Sequence, residues 1–333
     1  MRIVIVAPVR PGSTSGNDVT AARWRRRLGE LGHDVEIAAM PPDPADDGDE
    51  VRDGSFGSAD VVIALHARRC ARAVRRSVAA RPDRPVVVGL AGTDLYVDLP
   101  DDPATRTSVD VASALVVLQS RAVDRLASFD SALAAKATVV PQSVELPELS
   151  PVERAGDEFV VVVLAHLRDV KDPLLAARAA RLLPDDSRVV VRHAGAAHDD
   201  AWAAAATAEM GENPRYEWLG ERSRIEALEL LAGADVLACT SVSEGGANVV
   251  SEAIALGVPV IGTDIDGTRG ILGDDHPGLV PVGDAAALAE MIRTVETDDG
   301  VRADARDRVV ALQHLVEPAT ERAAWARVLG GLV

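Results

Sequence analysis

The stretch TSVSEGGANVVSEA, from Thr240 to Ala253, constrains the fold more than any other part of this chain. An apolar run from Ala234 to Cys239 precedes it and predicts a buried parallel strand. The residues that follow predict a helix that stops at Gly257, and the apolar residues 258–262 predict a second strand. The stretch is therefore predicted to connect a strand to a helix at the carboxyl edge of a parallel sheet, where open α/β sheets bind their ligands.

Two glycines and two carboxylates suggest what this connection binds. Gly245 and Gly246 let the backbone approach a bound group, and the free N–H groups of the following helical turn attract an anion. Glu244 and Glu252 would lie at similar azimuth about two turns apart on a helical path, and each can accept hydrogen bonds from hydroxyl groups. A diphosphate between two hydroxylated rings fits this arrangement, so we predict a sugar nucleotide. The alternative is an ordinary glycine-rich turn with solvated carboxylates.

The Glu-x7-Glu pattern with Gly-Gly behind its first glutamate resembles the donor site of two-domain GT-B glycosyltransferases. The resemblance implies an α/β fold with two Rossmann-like, doubly wound parallel-sheet domains that face a cleft, and a C-terminal helix that crosses back. We expect an acceptor domain over residues 1–145 and a UDP-sugar donor domain over 156–317. Residues 318–333 are expected to form the helix that packs on the first domain. The proline- and glutamate-containing residues 142–157 predict the interdomain linker.

Composition excludes several other classes of protein. No apolar run approaches the length of a membrane span, and residues 1–7 lead into a strand rather than a signal peptide, so no membrane association is expected. The two cysteines, Cys70 and Cys239, lie far apart in predicted α/β elements, which favours a reducing, cytoplasmic compartment. A formal net charge of -17 argues against a nucleic-acid partner.

Lys171 stands out because the chain has only two lysines among its 35 basic residues. It follows the predicted strand Glu158–Leu164, and its compact ammonium group indicates a required point charge. Arg168 and Lys171 match the Arg and Lys that clamp the donor diphosphate in similar glycosyltransferases. Leu219 and Gly220 resemble the segment that frames the nucleotide base. The alternative for Arg168 and Lys171 is a pair of surface charges.

Polar residues also follow the strands predicted in the N-terminal half. His66 lies at the carboxyl end of one strand, with Arg68 and Arg69 predicted to open the next helix, and Thr93 and Asp94 follow a companion strand at the same edge. The alternative is a structural histidine with two surface arginines. A polar loop after the first strand contains Gly12, Ser13, Gly16 and Asn17, ahead of a helix predicted from Asp18. It lacks the Gly-x-Gly-x-x-Gly pattern, so dinucleotide binding is disfavoured, and it resembles the acceptor-side loop of the same enzymes. An ordinary turn is the alternative.

These considerations give three groups of candidate site residues. The predicted catalytic residues are His66, Arg168, Lys171 and Glu244. The predicted donor-binding residues are Gly245, Gly246, Ala247, Asn248, Val249, Glu252, Leu219 and Gly220. The predicted acceptor-binding residues are Gly12, Ser13, Gly16, Asn17, Arg68, Arg69, Thr93 and Asp94. Asp264-Ile265-Asp266 looks like the metal-binding Asp-x-Asp of another glycosyltransferase fold, but its position after a strand predicts a loop. We expect no metal and no cofactor.

Nearly the whole chain resembles the selenosugar synthases of selenoneine biosynthesis, which are themselves similar to glycosyltransferase family 4. The resemblance is carried by the segments ALHARR (64–69), GTDLY (92–96), HLRDVKDP (166–173), NPRY (213–216), WLGE (218–221) and EGGANVVSE (244–252). It implies transfer of a hexose from UDP-N-acetylglucosamine or UDP-glucose to the selenium of selenophosphate, followed by loss of phosphate to leave a 1-seleno sugar. Arg10 and the polar insertion at 41–58 depart from the family pattern without touching a motif.

Under this interpretation Arg68 and Arg69 attract the selenophosphate anion, and His66 orients it, since the selenium is already a nucleophile. Arg168, Lys171 and the Gly-Gly turn then stabilise the departing UDP in place of a metal. Two other functions stay open at this point. One is a GT-B transferase for a hydroxyl or thiol acceptor, with His66 as the base. The other is a UDP-sugar 2-epimerase, which moves no sugar to an acceptor. The sequence also leaves the preferred hexose, the anomeric outcome and the oligomeric state open.

Overall fold

The computed structural model describes residues 1–8, 16–40, 57–150, 152 and 156–332. The chain divides into two compact units. The first unit is Met1–Ser143 together with Glu317–Val333, and the second unit is Val144–Val316. The second unit includes all but the first two residues of the predicted linker 142–157, whereas the prediction began the donor domain at 156. Each unit contains one parallel sheet.

The sheet of the first unit has the strand order β2-β1-β3-β4-β5-β6 over the described residues, and every pairing is parallel. Its strands are β1 (Arg2–Ala7), β2 (Asp34–Ala39), β3 (Val61–Leu65), β4 (Val86–Gly89), β5 (Ala114–Val117) and β6 (Ala137–Val139). The helices between them are α1 (Gly16–Glu30), α2 (Ala71–Ala80), α3 (Pro103–Val111), α4 (Arg121–Phe129) and α5 (Ser131–Ala135), with one π-helical turn at Asp94–Asp98. The central strands β1, β3 and β4 are almost continuously buried because helices cover both faces of the sheet.

The sheet of the second unit has the order β12-β11-β10-β7-β8-β9, again with parallel pairing throughout the described residues. Its strands are β7 (Phe159–Leu164), β8 (Val189–Ala194), β9 (Tyr216–Trp218), β10 (Val236–Cys239), β11 (Val260–Thr263) and β12 (Leu279–Val280). Its helices are α6 (Leu175–Ala180), α7 (Asp200–Glu212), α8 (Arg224–Ala232), α9 (Asn248–Leu256), α10 (Asp266–Leu272), α11 (Ala285–Thr297) and α12 (Asp299–Ala311). Short 3-10 turns occupy Asp169–Lys171 and Gln313–Val316.

The last helix, α13 (Pro318–Gly330), belongs to the first unit, where it packs against α1. Trp325 meets Trp24 edge-on with ring centroids 5.0 Å apart, and both indoles are completely buried. A Cβ on Gly89 of β4 would lie 2.4 Å from the Trp24 ring, so that glycine makes room for the aromatic pair. Within this unit the carboxylate of Glu321 is fully buried and accepts a hydrogen bond from Arg23 Nε at 3.0 Å. The C-terminal helix is therefore fixed to the first unit by both apolar and ionic contacts.

Candidate functional site

Each sheet reverses its strand order at one point, and these two switch points locate the candidate site residues. In the second unit the order runs outward from β7 in one direction to β8 and β9 and in the other to β10. In the first unit the same reversal lies between β1 and β3. Ligands of open α/β sheets bind outside the carboxyl ends of the strands at such points. The loops that follow β7 and β10, and the loop that follows β3, are therefore the places to look for function.

Lys171 and Glu244 meet at the switch point of the second unit. The Lys171 ammonium forms a hydrogen-bonded ion pair with Glu244 Oε1, and both side chains are largely buried. Ser241 Oγ donates a second hydrogen bond to the same carboxylate oxygen at 2.7 Å. A paired, partly buried ammonium and carboxylate can each exchange partners when an anionic, hydroxylated ligand arrives.

The two loops that carry this ion pair are joined by backbone contacts as well. Thr240 Oγ1 donates to the carbonyl oxygen of Lys171 at 2.9 Å, and the Val242 N–H donates to the carbonyl oxygen of Val170 at 2.8 Å. Thr263 Oγ1 of β11 donates to the carbonyl oxygen of Ser241. The loops after β7 and β10 therefore form one connected surface at the carboxyl edge of the sheet.

Helix α9 begins at this surface without a side-chain cap. Its N-cap residue is Ala247, whose methyl group cannot accept a hydrogen bond from the first-turn N–H groups. Asn248 and Val249 are the first two helical residues, and Gly245 and Gly246 precede the cap. The end of the helix at Gly257, which has a φ of 67°, agrees with the predicted stop. A helix start without a side-chain cap, four residues after the Lys171-bound Glu244, favours an anion.

The predicted geometric relation of Glu244 and Glu252 was wrong in one respect. Because α9 begins at Asn248, half of the path from Glu244 to Glu252 is not helical, and the equal-azimuth argument does not apply. Glu252 lies on the helix, where Oε1 is 3.1 Å from Arg224 Nη1 of α8. The two carboxylates are thus held by different cations.

Gly267 of α10 lies directly against Glu244. A Cβ at this position would be 2.4 Å from the carbonyl oxygen of Glu244 and 2.8 Å from its Cβ. Only a residue without a side chain permits this close approach. Gly267 was not among the predicted site residues, although an isolated glycine in a helical segment can have a packing reason.

His166 and Arg168 follow β7 beside the ion pair. His166 Nδ1 accepts a hydrogen bond from the Ala196 N–H at 3.2 Å. Burial lowers the pKa of His166, and the positive charges of Arg168 and Lys171 lower it further. The Arg168 side chain is exposed, and it makes no ion pair with any residue in the described ranges. His166 belongs to the segment HLRDVKDP but was not among the predicted site residues.

Backbone hydrogen bonds join the residues that follow β9 to the end of β8, which neighbours β7 in the sheet. The Leu219 N–H donates to the carbonyl oxygen of His193 at 2.8 Å, and the Gly195 N–H donates to that of Gly220 at 2.8 Å. Gly220 has a φ of 70°, a conformation that favours glycine. Leu219 and Gly220 therefore lie on the same edge of the sheet as Lys171, and their contact with a nucleotide base stays a prediction.

In the first unit His66 terminates β3 in a strained conformation, with a φ of 87°. Its ring is almost completely buried. Nε2 is 3.0 Å from Thr93 Oγ1, and Nδ1 accepts a hydrogen bond from the Arg69 N–H at 3.4 Å. Nδ1 also lies 3.7 Å from Asp94 Oδ2. Such strain is retained where the surrounding structure holds a residue in place, often at functional sites.

Asp94 has a supporting position. It is fully buried, and its two oxygens accept hydrogen bonds from the N–H groups of Ala67, Ala91, Gly92 and Leu95 at 2.8–3.1 Å. These bonds join the loop after β3 to the loop after β4. Both oxygens of Asp94 are used by backbone N–H groups, so it fixes the two loops that carry His66 and Thr93, and its predicted contact with an acceptor stays a prediction.

Arg68 and Arg69 do not open helix α2 as expected, because that helix begins at Ala71 and both arginines lie in the preceding turn. Arg68 Nη1 donates to Asp98 Oδ1 at 2.9 Å, so its charge already has a partner. The Arg69 side chain is exposed and forms no ion pair within the part of the chain that the structure describes. Arg69 is thus an available cation in the turn that follows His66.

The remaining acceptor-side predictions concern the loop after β1. Gly12 and Ser13 lie outside the described residues. Gly16 and Asn17 are the first residues of α1, which begins two positions before the predicted start at Asp18. They are therefore helical residues and not part of a flexible loop.

Neither a metal cluster nor a membrane-spanning helix is found in the described ranges. Asp264 forms a two-pronged ion pair with Arg269, in which Nη2 is 2.7 Å from Oδ2, while Asp266 begins α10. Among the described residues no group of three or more His, Cys, Asp or Glu side chains could hold a metal ion. No described helix is long and apolar enough to cross a membrane. Both cysteines are free and buried.

Comparison of the whole fold with solved structures decides the architecture. HepE of Anabaena, solved in complex with UDP and glucose, superposes with a TM-score of 0.74, over 99% of each chain and at 18% sequence identity. Sucrose-phosphate synthase from Thermosynechococcus elongatus gives a TM-score of 0.76, covering 99% of this chain and 98% of that one, at 16% identity. The fold is GT-B. The predicted fold class, with two Rossmann-like parallel-sheet domains, is thereby confirmed.

The family match of this GT-B protein lies within its second unit. Residues 147–309 match the family described as Glycosyl transferases group 1. The D-inositol 3-phosphate glycosyltransferase of Mycobacteroides abscessus is 27% identical over an alignment of 232 residues, with 65% of this chain and 49% of that protein covered. The protein of the same name from Mycobacterium sp. (strain KMS) is 31% identical over an alignment of 189 residues, with 50% of this chain and 43% of that protein covered. The chain spans about half the length of these curated relatives.

Proposed function

We propose that the protein is a glycosyltransferase that takes a hexose from a UDP-sugar, UDP-N-acetylglucosamine or UDP-glucose, and transfers it to selenophosphate. The observation that carries the donor assignment is the Lys171–Glu244 ion pair at the switch point, on the loop that leads into α9. This site lies within the segment that matches Glycosyl transferases group 1. Structures similar to this one were solved with UDP and with UDP-glucose, which supports the same donor here.

On the donor side, the diphosphate takes the place of Glu244 at the Lys171 ammonium, and Arg168 adds a second positive charge. The bond between C1 of the hexose and the β-phosphate oxygen then breaks, and its electron pair stays on UDP. Fixed cations and helix N–H groups stabilise the charge that develops on this leaving group. Glu244, released from Lys171, accepts hydrogen bonds from hydroxyl groups of the donor, as does Glu252.

On the acceptor side, the surroundings of His66 favour a nucleophile that is already anionic. The ring is buried and both of its nitrogens contact protein groups, so it is poorly placed to remove a proton from an acceptor. Arg69 supplies an available positive charge next to it. Selenophosphate meets this requirement. Its selenium attacks C1 as the C1–O bond breaks, and water then cleaves the selenium–phosphorus bond, which releases phosphate and leaves the 1-seleno sugar.

A second candidate function is transfer to the hydroxyl group of a phosphate-bearing acceptor. The name of the curated relatives, D-inositol 3-phosphate glycosyltransferase, favours it. The positive charge of Arg69 could attract either selenophosphate or the phosphate group of such an acceptor. The two candidates differ in their need for a base, since a hydroxyl group must lose a proton and selenophosphate need not.

Mass spectrometry of the reaction products tests the proposal. The protein would be incubated with each UDP-sugar alone, with selenophosphate, with inositol 3-phosphate and with a simple thiol. We expect UDP and a 1-seleno sugar only where selenophosphate is present. A glycosylated inositol phosphate would establish the second candidate, and an isomerised sugar nucleotide formed without acceptor would establish an epimerase.

Kinetics of three variants test the assigned acceptor site. Arg69→Ala should raise the KM for selenophosphate and make it more dependent on salt, with UDP affinity unchanged. Arg75→Ala, at an exposed arginine of α2, is the matched control and should leave the KM unchanged. His66→Asn keeps a side chain that tolerates a positive φ but cannot act as a base, so we expect only a small loss of kcat. A loss of about 100-fold or more would indicate base catalysis and a hydroxyl acceptor.

A further inference from the structure

The protonation of His166 can be read from its hydrogen bond. The ring atom Nδ1 accepts from the backbone N–H of Ala196 at 3.2 Å. A backbone N–H can only donate, so Nδ1 carries no proton and the ring proton lies on Nε2. Nε2–H has no acceptor among the described residues, and the side chain is half-buried. His166 therefore offers one neutral donor that the protein itself does not use.

The charges around His166 favour this neutral state. Burial lowers its pKa most, the positive charges of Arg168 and Lys171 lower it further, and Glu221 acts in the opposite direction. The ring therefore stays neutral near pH 7. His166 is close enough to Arg168 and Lys171, the two cations assigned to the sugar-nucleotide site, for their charges to affect its pKa. A phosphate oxygen attracted by those cations can accept a hydrogen bond from Nε2–H.

The loop that carries His166 is held from neighbouring strands. His193 of β8 is fully buried, and its Nε2 lies 2.8 Å from the carbonyl oxygen of Ala165, which can only accept. The other ring nitrogen, Nδ1, then accepts from the Tyr216 hydroxyl at 2.9 Å. A Cβ on Gly195 would lie 1.9 Å from the same Ala165 oxygen. The peptide bond that precedes His166 is thus fixed from β8 and β9, which orients the ring before any ligand binds.

We propose that His166 is a binding residue for the diphosphate of the nucleotide, to which it donates a hydrogen bond from Nε2 as a neutral imidazole. The inference rests on the donor assignment made above. Arg168 and Lys171 supply positive charge, and His166 would add a directional hydrogen bond to the diphosphate without adding a third positive charge. Hydrogen bonds to a charged partner are stronger than those between neutral groups.

Calorimetric titration with UDP and with uridine tests this role, and the variants separate the two ring nitrogens. His166→Asn can still accept from the Ala196 N–H but lacks a donor at the Nε2 position, whereas His166→Gln places an amide N–H close to it. We expect UDP to bind about 10- to 100-fold more weakly to His166→Asn, with His166→Gln recovering most of the affinity. Uridine, which has no phosphate, should bind equally to all three proteins. His198→Asn, at an exposed histidine of the loop after β8, which is hydrogen-bonded to the His166 loop, is the control and should match the wild type.

A second measurement separates a neutral donor from a cation. UDP binding at pH 7 would be followed in two buffers of different ionisation enthalpy, which gives the number of protons taken up. Wild type and His166→Gln should take up the same number. About one additional proton in the wild type would mean that His166 binds as imidazolium, and would overturn the proposal.

Equal UDP affinity for wild type and His166→Asn, or an equal loss of UDP and uridine affinity, would also overturn it. A wild-type protein that binds no UDP would instead refute the donor assignment. The two failures are therefore distinguishable.

Discussion

Replacing Gly267 by alanine should damage the donor site through Glu244. The new Cβ would lie 2.4 Å from the Glu244 carbonyl oxygen, 2.8 Å from its Cβ and 3.0 Å from its carbonyl carbon. Ordinary contact begins at 3.4 Å, so a displacement of 3.4 − 2.4 = 1.0 Å is needed. None of these three atoms belongs to a flexible side-chain end. The backbone of Glu244 or of α10 must therefore move.

The displacement has a cost in stability and a cost in function. Overpacking of this kind costs about 1–3 kcal/mol, which lowers the Tm by a few degrees in a domain of this size. Moving Glu244 by this distance also disturbs its contacts with Lys171 and Ser241. A misplacement of about 1 Å at a reacting centre can reduce the rate about 100-fold. We expect a loss of that order in kcat/KM for the UDP-sugar.

The matched control is Gly211→Ala, a glycine in helix α7 with no neighbouring atom within 4 Å of an added Cβ. Both substitutions raise helix propensity by about 1 kcal/mol, but only the one at Gly267 meets a neighbour. Thermal unfolding would give the Tm, and steady-state kinetics well below it would give kcat/KM. If Gly267→Ala matched Gly211→Ala in both, the placement of Glu244 would not matter to the reaction.

Three further predictions concern the donor site, the need for a metal and the C-terminal helix. Lys171→Ala and Glu252→Ala should each weaken UDP binding by about 1.5–3 kcal/mol, since each removes a charged partner, and calorimetry showing parental affinity for both would refute the donor site. Transfer activity should survive exhaustive chelation, because cationic side chains and helix N–H groups stabilise the leaving group. A loss that magnesium or manganese restores would contradict this expectation. Glu321→Ala should lower the free energy of unfolding by about 3–5 kcal/mol, because it removes the buried carboxylate that accepts hydrogen bonds from Arg23 and Ser143. Denaturant titration against the exposed Glu212→Ala would measure the difference.

Much of the fold could be predicted from the sequence alone. Runs such as Phe159–Leu164 and Val61–Leu65 are apolar at every position, which requires burial of both faces of a strand and hence a parallel sheet covered by helices. Gly257 ends α9 at a positive φ, as a helix stop should. The Glu-Gly-Gly stretch after a buried strand indicated GT-B, and the structure has that fold. Each of these features depends on a few consecutive residues, so it can be predicted from the local sequence.

Partnerships between distant residues were decided only by the tertiary structure. Lys171 and Glu244 are 73 positions apart, and they meet because the strand order reverses between β7 and β10. The sequence identified both residues but could not pair them. Likewise, Arg68 was predicted as a free cation, while the fold supplies Asp98, 30 positions away, as its partner.

The exact starts of helices and the close approaches between backbone segments were also decided only by the tertiary structure. Helix α2 begins at Ala71 and α9 at Asn248, and both starts depend on which N–H groups find partners in neighbouring loops. The tautomer of His166 depends on the Ala196 N–H, and the need for Gly267 depends on Glu244 lying above it. Local sequence determines which residues can form strands, turns and charged sites. Which atoms then come within hydrogen-bonding distance depends on the order and spacing of strands that are far apart in the chain.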